Sequence, residues 1–354
     1  MEILFSENEV HYRSLGLLDI DGINYTFNGL SFYNKSIEKF DMFICSFYTM
    51  PHNVLLTIKF KALNRKTIIC SDGIFDFSNA INNPMIKKYK LTLFSPIIQD
   101  YFLCVGEKEC NYFNFTTTPL KFMPNRMLSQ SDIIELPSNS KVLITTANTS
   151  YFNEDEFLRL GKFILDVVAV LEVNSIPFSF RIFDDRLLSF LGSEVNNSIH
   201  NDIEMDFEST LKSYTSVITT PSSIAITSMY HQRSVSILLY RDEPMFLQAG
   251  WVIPSIDVFK SCLDDFLTLN NERIKIQNNF LKLYLSENDI NDNIIYIKNM
   301  DSIDKKNDLS DYINTNLYNM LDSKFNFNFE WLFRKLYLRF KKNNIVKKIR
   351  IWIK

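Results

Sequence analysis

Two short stretches of this 354-residue chain hold residue types that could do chemistry. One is Asp72-Gly73, which follows the apolar run Thr67-Ile-Ile-Cys70. A carboxylate at the end of a buried strand can be presented to a cleft, where it could take a proton from a hydroxyl or attack an electrophilic carbon. Gly73 is expected to permit the sharp turn that presents it, and the alternative is an Asx-type turn without chemistry. The other is Val217-Ile-Thr-Thr-Pro-Ser-Ser-Ile-Ala-Ile-Thr-Ser-Met229, continuing to Tyr240. It predicts a buried strand ending at Ile218, then a turn bearing the hydroxyls of Thr219, Thr220, Ser222 and Ser223. A helix to about Gln232 follows, with Pro221 in its first turn, and a second buried strand starts at Val235. Free N–H groups at such a helix start, ringed by hydroxyls, suit an anion such as phosphate. The alternative is a set of N-caps that satisfies only its own helix.

Further candidates also stand where apolar runs end. Thr145, Thr146 and Asn148 close the run from Lys141 and could donate hydrogen bonds to a nucleotide or sugar, or cap the next helix. Arg181, ahead of Asp184 and Asp185, could hold a carboxylate or phosphate by two parallel bonds, or pair internally with one of those aspartates. His11, His52, His200 and His231 have no ligand spacing and are read as structural rather than catalytic, although His11 and His52 lie in N-terminal segments that could line the cleft; His231 ends the predicted helix, where a cation is favourable. The five cysteines lack any C-x-x-C pair, so buried reduced thiols are expected rather than a zinc or disulfide framework. No G-x-G-x-x-G, G-x-x-x-x-G-K-[ST], H-E-x-x-H or G-x-S-x-G occurs, so dinucleotide, P-loop, metalloprotease and common hydrolase chemistries lack their hallmarks.

These residues must be positioned by strands that alternate with helices. Apolar residues make up 46% of the chain and charged ones 22%, as in a globular protein with a sizeable core. Apolar runs at Glu2–Phe5, Phe40–Phe47, Thr67–Cys70 and Tyr101–Val105 interleave with helical patterns. A second alternation runs from Lys141 to Tyr240. Both imply parallel sheets covered on two sides, hence an α/β fold of two Rossmann-like domains facing a cleft, with ligands beyond the carboxyl ends of the strands. Residues from about Thr116 to Ser140, rich in Pro, Ser and Asn, are expected to be an irregular connector. The expected divisions are 1–125, a linker over 126–140, 141–265, a helical or irregular region over 266–330, and a helical basic tail over 331–354.

The net charge of −3 hides an asymmetry: the tail carries nine Lys or Arg and no acid, whereas residues 1–330 hold 29 basic against 41 acidic groups, a net of −12. The body should repel nucleic acid, and the tail, with Phe333, Leu336, Tyr337 and Phe340 along one side, should lie on an anionic membrane surface. Its alternative is a basic helix packed on its own protein. The first residues lack the pattern of a signal peptide, and no apolar run approaches the length of a membrane span. A cytoplasmic, soluble or peripheral protein is expected.

The order of Ser71-Asp72-Gly73, Asp100-Tyr-Phe-Leu-Cys-Val-Gly106, Val142-Leu-Ile-Thr-Thr-Ala-Asn148 and Ile218-Thr-Thr-Pro-Ser-Ser-Ile-Ala-Ile-Thr-Ser-Met229 resembles bacterial GT-B type glycosyltransferases of surface-polysaccharide (capsule, O-antigen, lipopolysaccharide) assembly. The likeness is to those using CMP-activated ulosonic acids, the sialyltransferases and Kdo transferases. It implies a catalytic carboxylate at Asp72 beside Gly73, and contact of Ser222, Ser223 and Thr220 with the donor phosphate. Where sialyltransferases of this type carry a His-Pro pair, this chain has Thr146-Ala147-Asn148. The resemblance implies a CMP-sugar donor, a lipid-linked or oligosaccharide acceptor, no cofactor or metal, and a place on the inner face of a bacterial membrane. A UDP- or GDP-hexose transferase and a non-catalytic scaffold of the same machinery stay open. Asp19-Ile-Asp21 matches the metal-holding D-x-D of another glycosyltransferase class, although Gly22 marks it as a turn.

Overall fold

Strands that are apolar on both faces must be covered on both sides, and a parallel sheet flanked by helices achieves this. The computed structural model describes residues 1–47, 51–88, 97–194 and 200–300, with Leu332 and Leu336, and contains two such sheets. The first is formed by β1 (Glu2–Phe5), β2 (Asn24–Thr26), β3 (Met42–Cys45), β4 (Lys66–Cys70), β5 (Tyr101–Cys104) and β6 (Thr118–Lys121), in the order β2-β1-β3-β4-β5-β6. The second is formed by β7 (Val142–Thr145), β8 (Phe178–Arg181), β9 (Ser216–Thr219), β10 (Ser234–Leu238) and β11 (Trp251–Ile253), in the order β11-β10-β9-β7-β8. Pairing is parallel in both, as at Ile44 with Ile68 and Ile144 with Ile218.

Around the first sheet lie α1 (Glu9–Ser14), α2 (Pro51–Ala62), α3 (Phe77–Asn82), α4 (Pro84–Lys88) and α5 (Glu107–Phe113). Around the second lie α6 (Glu154–Val173), α7 (Asp185–Glu194), α8 (Phe207–Leu211), α9 (Ile224–Tyr230), α10 (Ile256–Leu267) and α11 (Asn271–Tyr284). A last helix, α12 (Ile290–Asn299), returns to the first sheet. Side chains alternate along each strand, so Leu4, Phe43, Cys45, Ile69 and Phe102 meet Val54 and Phe60 of α2 on one face. Ile3, Phe5, Met42, Ile44 and Ile68 meet Tyr12 of α1 and Ile290, Ile294 and Ile297 of α12 on the other. In the second sheet Val142, Ile144 and Phe180 pack on Leu160, Ile164 and Val168 of α6. On its opposite face Val235 and Ile237 pack on Ala225, Ile226 and Met229 of α9.

The connector expected from about Thr116 begins instead as β6, whose Pro119 is tolerated because β6 is an edge strand. The region expected to be helical or irregular contains α12. Its Asn-rich surface conceals the stripe Ile290, Ile294, Ile297, and Asp289 with Asp292 forms a capping box at its start. Lys66 Nζ donates to the carbonyls of Ile297 and Met300, both at 2.6 Å, and so closes its end. The central helix starts at Ile224 rather than at Pro221 and ends at Tyr230 rather than Gln232. Within residues 331–354 only Leu332 and Leu336 are described, both helical and exposed; the basic tail otherwise lies outside the described residues. Among the described residues no helix is long and apolar enough to cross a membrane.

Candidate functional site

In a parallel sheet all strands end on one edge, so the loops leaving β3 and β4 lie side by side, as do those leaving β7 and β9. The two edges bound a cleft of about 480 Å³, the size of a small-ligand site. Asp72, Gly73 and Asp76 line it from the first sheet, and Asn148, Ser222 and Ser223 from the second.

The turn after β4 is built by Ser71. Its N–H donates to Leu103 O at 2.8 Å, and its hydroxyl donates to the carbonyl of Gly73. Gly73 is not among the residues with positive φ, and an added Cβ would meet only Arg126 Nη2, at 3.9 Å. The glycine is therefore not what makes this turn possible, contrary to the expectation from Asp72-Gly73. Asp72 Oδ2 lies 3.2 Å from Arg126 Nη2, and both side chains stay about two-fifths exposed, at 43% and 41%. The Arg126 N–H donates to Ser14 O at 3.0 Å, so the end of α1 anchors the connector beside Asp72. Sequence reasoning missed Arg126: a single arginine in a Pro- and Ser-rich connector carries no periodic or motif signal.

His11, read from sequence as structural, stands on α1 with its ring 5.1 Å from that of Phe47, which lines the cleft. Its Nε2 is buried and has no hydrogen-bond partner among the described residues. Burial pushes its pKa below the usual histidine value, against the opposing pull of the Glu7 and Asp72 carboxylates, and Arg126 adds to the lowering. The imidazole is neutral at pH 7. Glu7, buried at the end of β1, accepts from Ser46 N at 3.1 Å, Phe47 N at 3.3 Å and Asn53 Nδ2 at 3.1 Å, and also from the Tyr12 hydroxyl. It fixes the rim formed after β3.

On the opposite wall the hydroxyls divide into two groups. Thr219 and Thr220 are fully buried: Thr219 donates to Thr220 O at 3.0 Å, and Thr220 Oγ1 accepts from Ala147 N at 2.8 Å. Thr145 donates to Arg181 O at 2.8 Å, and Thr146 is buried outside the cleft lining. Thr220 thus ties the exits of β7 and β9 together, Thr145 ties β7 to β8, and none of the four threonines is in the cleft lining. Ser222 and Ser223 do line the cleft. Ser223 occupies the N-cap position of α9 without a side-chain cap bond, so its hydroxyl is not consumed by its own helix. Nor is the backbone N–H of Ser222 or Ser223 hydrogen-bonded among the described residues.

Other sequence candidates lie elsewhere. Arg181 is buried away from the cleft, and its guanidinium donates to the carbonyls of Asp202 at 2.6 Å and Met205 at 2.9 Å. Those bonds brace the segment leading to α8, so neither a ligand anion nor Asp184 or Asp185 is its partner. His231 is fully buried, its Nδ1 accepts from Ile134 N at 3.2 Å, and its Nε2 faces Glu208 at 3.2 Å. Burial lowers its pKa despite Glu208, so it is not the cation expected at that helix end. Asp19 is exposed and paired with Arg13 at 2.6 Å, outside the cleft. Among the described residues no group of three or more His, Cys, Asp or Glu side chains is placed to hold a metal ion.

The two halves are joined at one end of the cleft by a network that sequence reasoning did not suggest. Arg241, after β10, donates through Nη1 to both oxygens of Asp76, at 3.1 and 2.9 Å, and through Nη2 to Ser150 O at 2.5 Å. Its Nε lies 3.3 Å from Glu156, without hydrogen-bond alignment. Glu156 in turn accepts from Ser78 Oγ at 2.8 Å, on α3 of the first half.

No protein-family model matches the chain, and no curated protein matches it. Solved structures do. The UDP-GlcNAc 2-epimerase of Methanocaldococcus jannaschii, in complex with UDP-GlcNAc and UDP, is similar with a TM-score of 0.52 at 12% identity, over 84% of this chain and 99% of that one. MnaA of S. aureus, in a co-structure with UDP, gives 0.47 at 11% identity over 80% and 92%. The wall teichoic acid polymerase TagF gives 0.47 at 13% identity over 91% and 90%. At such identities the likeness is one of fold. The chain has the GT-B architecture, two Rossmann-like units facing a cleft.

Proposed function

We propose that the protein is a glycosyltransferase that moves an acidic sugar, of the Kdo or sialic acid class, from a CMP donor to a lipid-linked or oligosaccharide acceptor in bacterial surface-polysaccharide synthesis. The observation that carries this reading is that Asp72 and the Ser222-Ser223 turn, 150 residues apart in sequence, line opposite walls of one cleft. In this reading Asp72 takes the proton of an acceptor hydroxyl as the acceptor oxygen bonds to the anomeric carbon. The bond from that carbon to the phosphate oxygen breaks, and its electron pair stays on CMP. The hydroxyls and N–H groups of Ser222 and Ser223, with Asn148, receive the developing phosphate charge. His11 is neutral and contributes no charge. The resemblance to CMP-ulosonic acid transferases supplies the choice of nucleotide and sugar. Nine Lys and Arg without an acid in residues 331–354 support a peripheral place on an anionic inner membrane.

A thermal-shift panel of CMP, CDP, UDP and GDP tests the reading. CMP is expected to give the largest stabilisation. A larger shift with UDP or GDP would move the assignment to a hexosyltransferase, and no shift with any of them would leave a non-catalytic scaffold. Asp72→Asn should lower transfer by about 10²- to 10⁴-fold without changing the fold, and full activity in a folded variant would remove Asp72 from its role.

A further inference from the structure

We infer that Arg126 is an anion receptor of the cleft: its guanidinium, paired with Asp72 in this structure, passes to the phosphate or carboxylate of the arriving ligand, releasing Asp72 as a free base. The released base rests on the glycosyltransferase reading; the receptor itself rests on the cleft alone.

Among the described residues that line the cleft, Arg126 is the single cation, set against Asp72 and Asp76 in a body whose first 330 residues carry a net charge of −12. Apart from the dipoles of the Ser222-Ser223 turn, this guanidinium is the formal positive charge that an entering anion meets in the cleft lining. His11 cannot substitute, because burial keeps its imidazole neutral. The contact with Asp72 is a single ion pair, Nη2 to Oδ2 at 3.2 Å, and the Arg126 side chain donates no hydrogen bond among the described residues. Arg233 and Arg241 are built differently. Arg233 donates to the carbonyls of Tyr214, Ile134, His231, Glu135 and Leu211, and Arg241 is fixed between Asp76 and Ser150. A planar fork with unused N–H groups matches a carboxylate or a phosphate through two parallel bonds, which its single contact with Asp72 does not provide. Exposed single-contact pairs are weak, so an exchange of partners costs little. The backbone of Arg126 is pinned to α1 through Ser14 O, which keeps the guanidinium at the cleft mouth while its side chain changes partner.

Isothermal calorimetry on the full chain, at fixed ionic strength, tests this with CMP against cytidine and with free sialic acid or Kdo against a neutral hexose. Arg126→Gln should weaken the anionic probe by about 10- to 100-fold and leave its uncharged counterpart unchanged. A loss confined to CMP identifies phosphate as the group held, and a loss confined to the acidic sugar identifies its carboxylate. Arg126→Lys, which keeps the charge without the fork, should fall between. Asp72→Asn should tighten the same probe by up to about 5-fold, because the resident competitor is gone. Circular dichroism should show all three variants folded, as the exposure of both side chains implies. Unchanged affinity in Arg126→Gln, with CMP still binding the wild type, would overturn the receptor and leave the glycosyltransferase reading standing. Failure of the wild type to bind any nucleotide or acidic sugar would overturn both. Unchanged or weaker binding in Asp72→Asn would overturn the exchange of partners.

Discussion

Replacing Arg241 with Ala should loosen the contact between the two halves at the Asp76 end of the cleft. The guanidinium is 8% exposed and bonded to Asp76, which is 21% exposed, with Nη1–Oδ2 at 2.9 Å. At that distance an effective dielectric of about 20 gives an attraction of about 6 kcal/mol. Burial opposes the Arg241 charge, yet Tyr240, Asp76 and Glu156 outweigh it and hold the pKa above the ordinary arginine value. After desolvation is subtracted, the coupling between Arg241 and Asp76 should be about 2 kcal/mol, within the range of close charge pairs at interfaces. Removing the arginine alone should cost about 3 kcal/mol, the lower end for a broken buried pair. Both acids keep other donors: Asp76 accepts from Ser78 N at 2.9 Å, and Glu156 from Phe152 N at 3.0 Å. The assay is a double-mutant cycle of Arg241→Ala with Asp76→Asn, read by urea unfolding, with scattering to follow the separation of the halves. The radius of gyration should rise in Arg241→Ala. A coupling below about 0.5 kcal/mol with an unchanged radius would show that the bridge does not hold the halves together.

Other outcomes follow from the same geometry. Ser222→Ala with Ser223→Ala should weaken CMP by about 5- to 100-fold, two lost hydrogen bonds' worth, and an unchanged dissociation constant would remove the phosphate from that wall. Deleting residues 331–354 should release the protein from anionic liposomes, and unaltered co-sedimentation would count against the basic tail as a membrane contact. His231 has a folded pKa below its unfolded value near 6.5, because burial outweighs Glu208. Its stability contribution is therefore complete above that pH and lost as the pH falls below it. The urea midpoint of the wild type should drop from pH 7.5 to 5.5 more steeply than that of His231→Gln, and equal slopes would contradict the assignment.

Several elements were legible because local signals agree with their surroundings. The runs at Thr67–Cys70 and Val217–Ile218 are apolar on both faces and end at polar turns, so a central parallel strand is the arrangement that buries them. Edge strands β2 and β6 gave no such signal: each is only partly buried, and β6 contains Pro119. Helix α12 hid behind its Asn and Asp, because burial depends on which of its faces meets the first sheet, and composition averages the faces together.

By itself the sequence determined the two runs of alternating strands and helices, and it determined that Asp72 and the Ser222-Ser223 turn each stand where a strand ends. These are local matters of apolar period and turn chemistry. Only the tertiary structure decided that the two ends face one another, that Arg126 stands beside Asp72, and that Arg241 bridges the halves. It also decided that Thr219, Thr220 and Arg181 are bonded inward to their own backbone neighbourhood, and that Thr146 is buried outside the cleft lining. A hydroxyl or guanidinium has the same local sequence signature whether it serves a ligand or a carbonyl, and the choice is made by which way the loop turns once the sheets are packed.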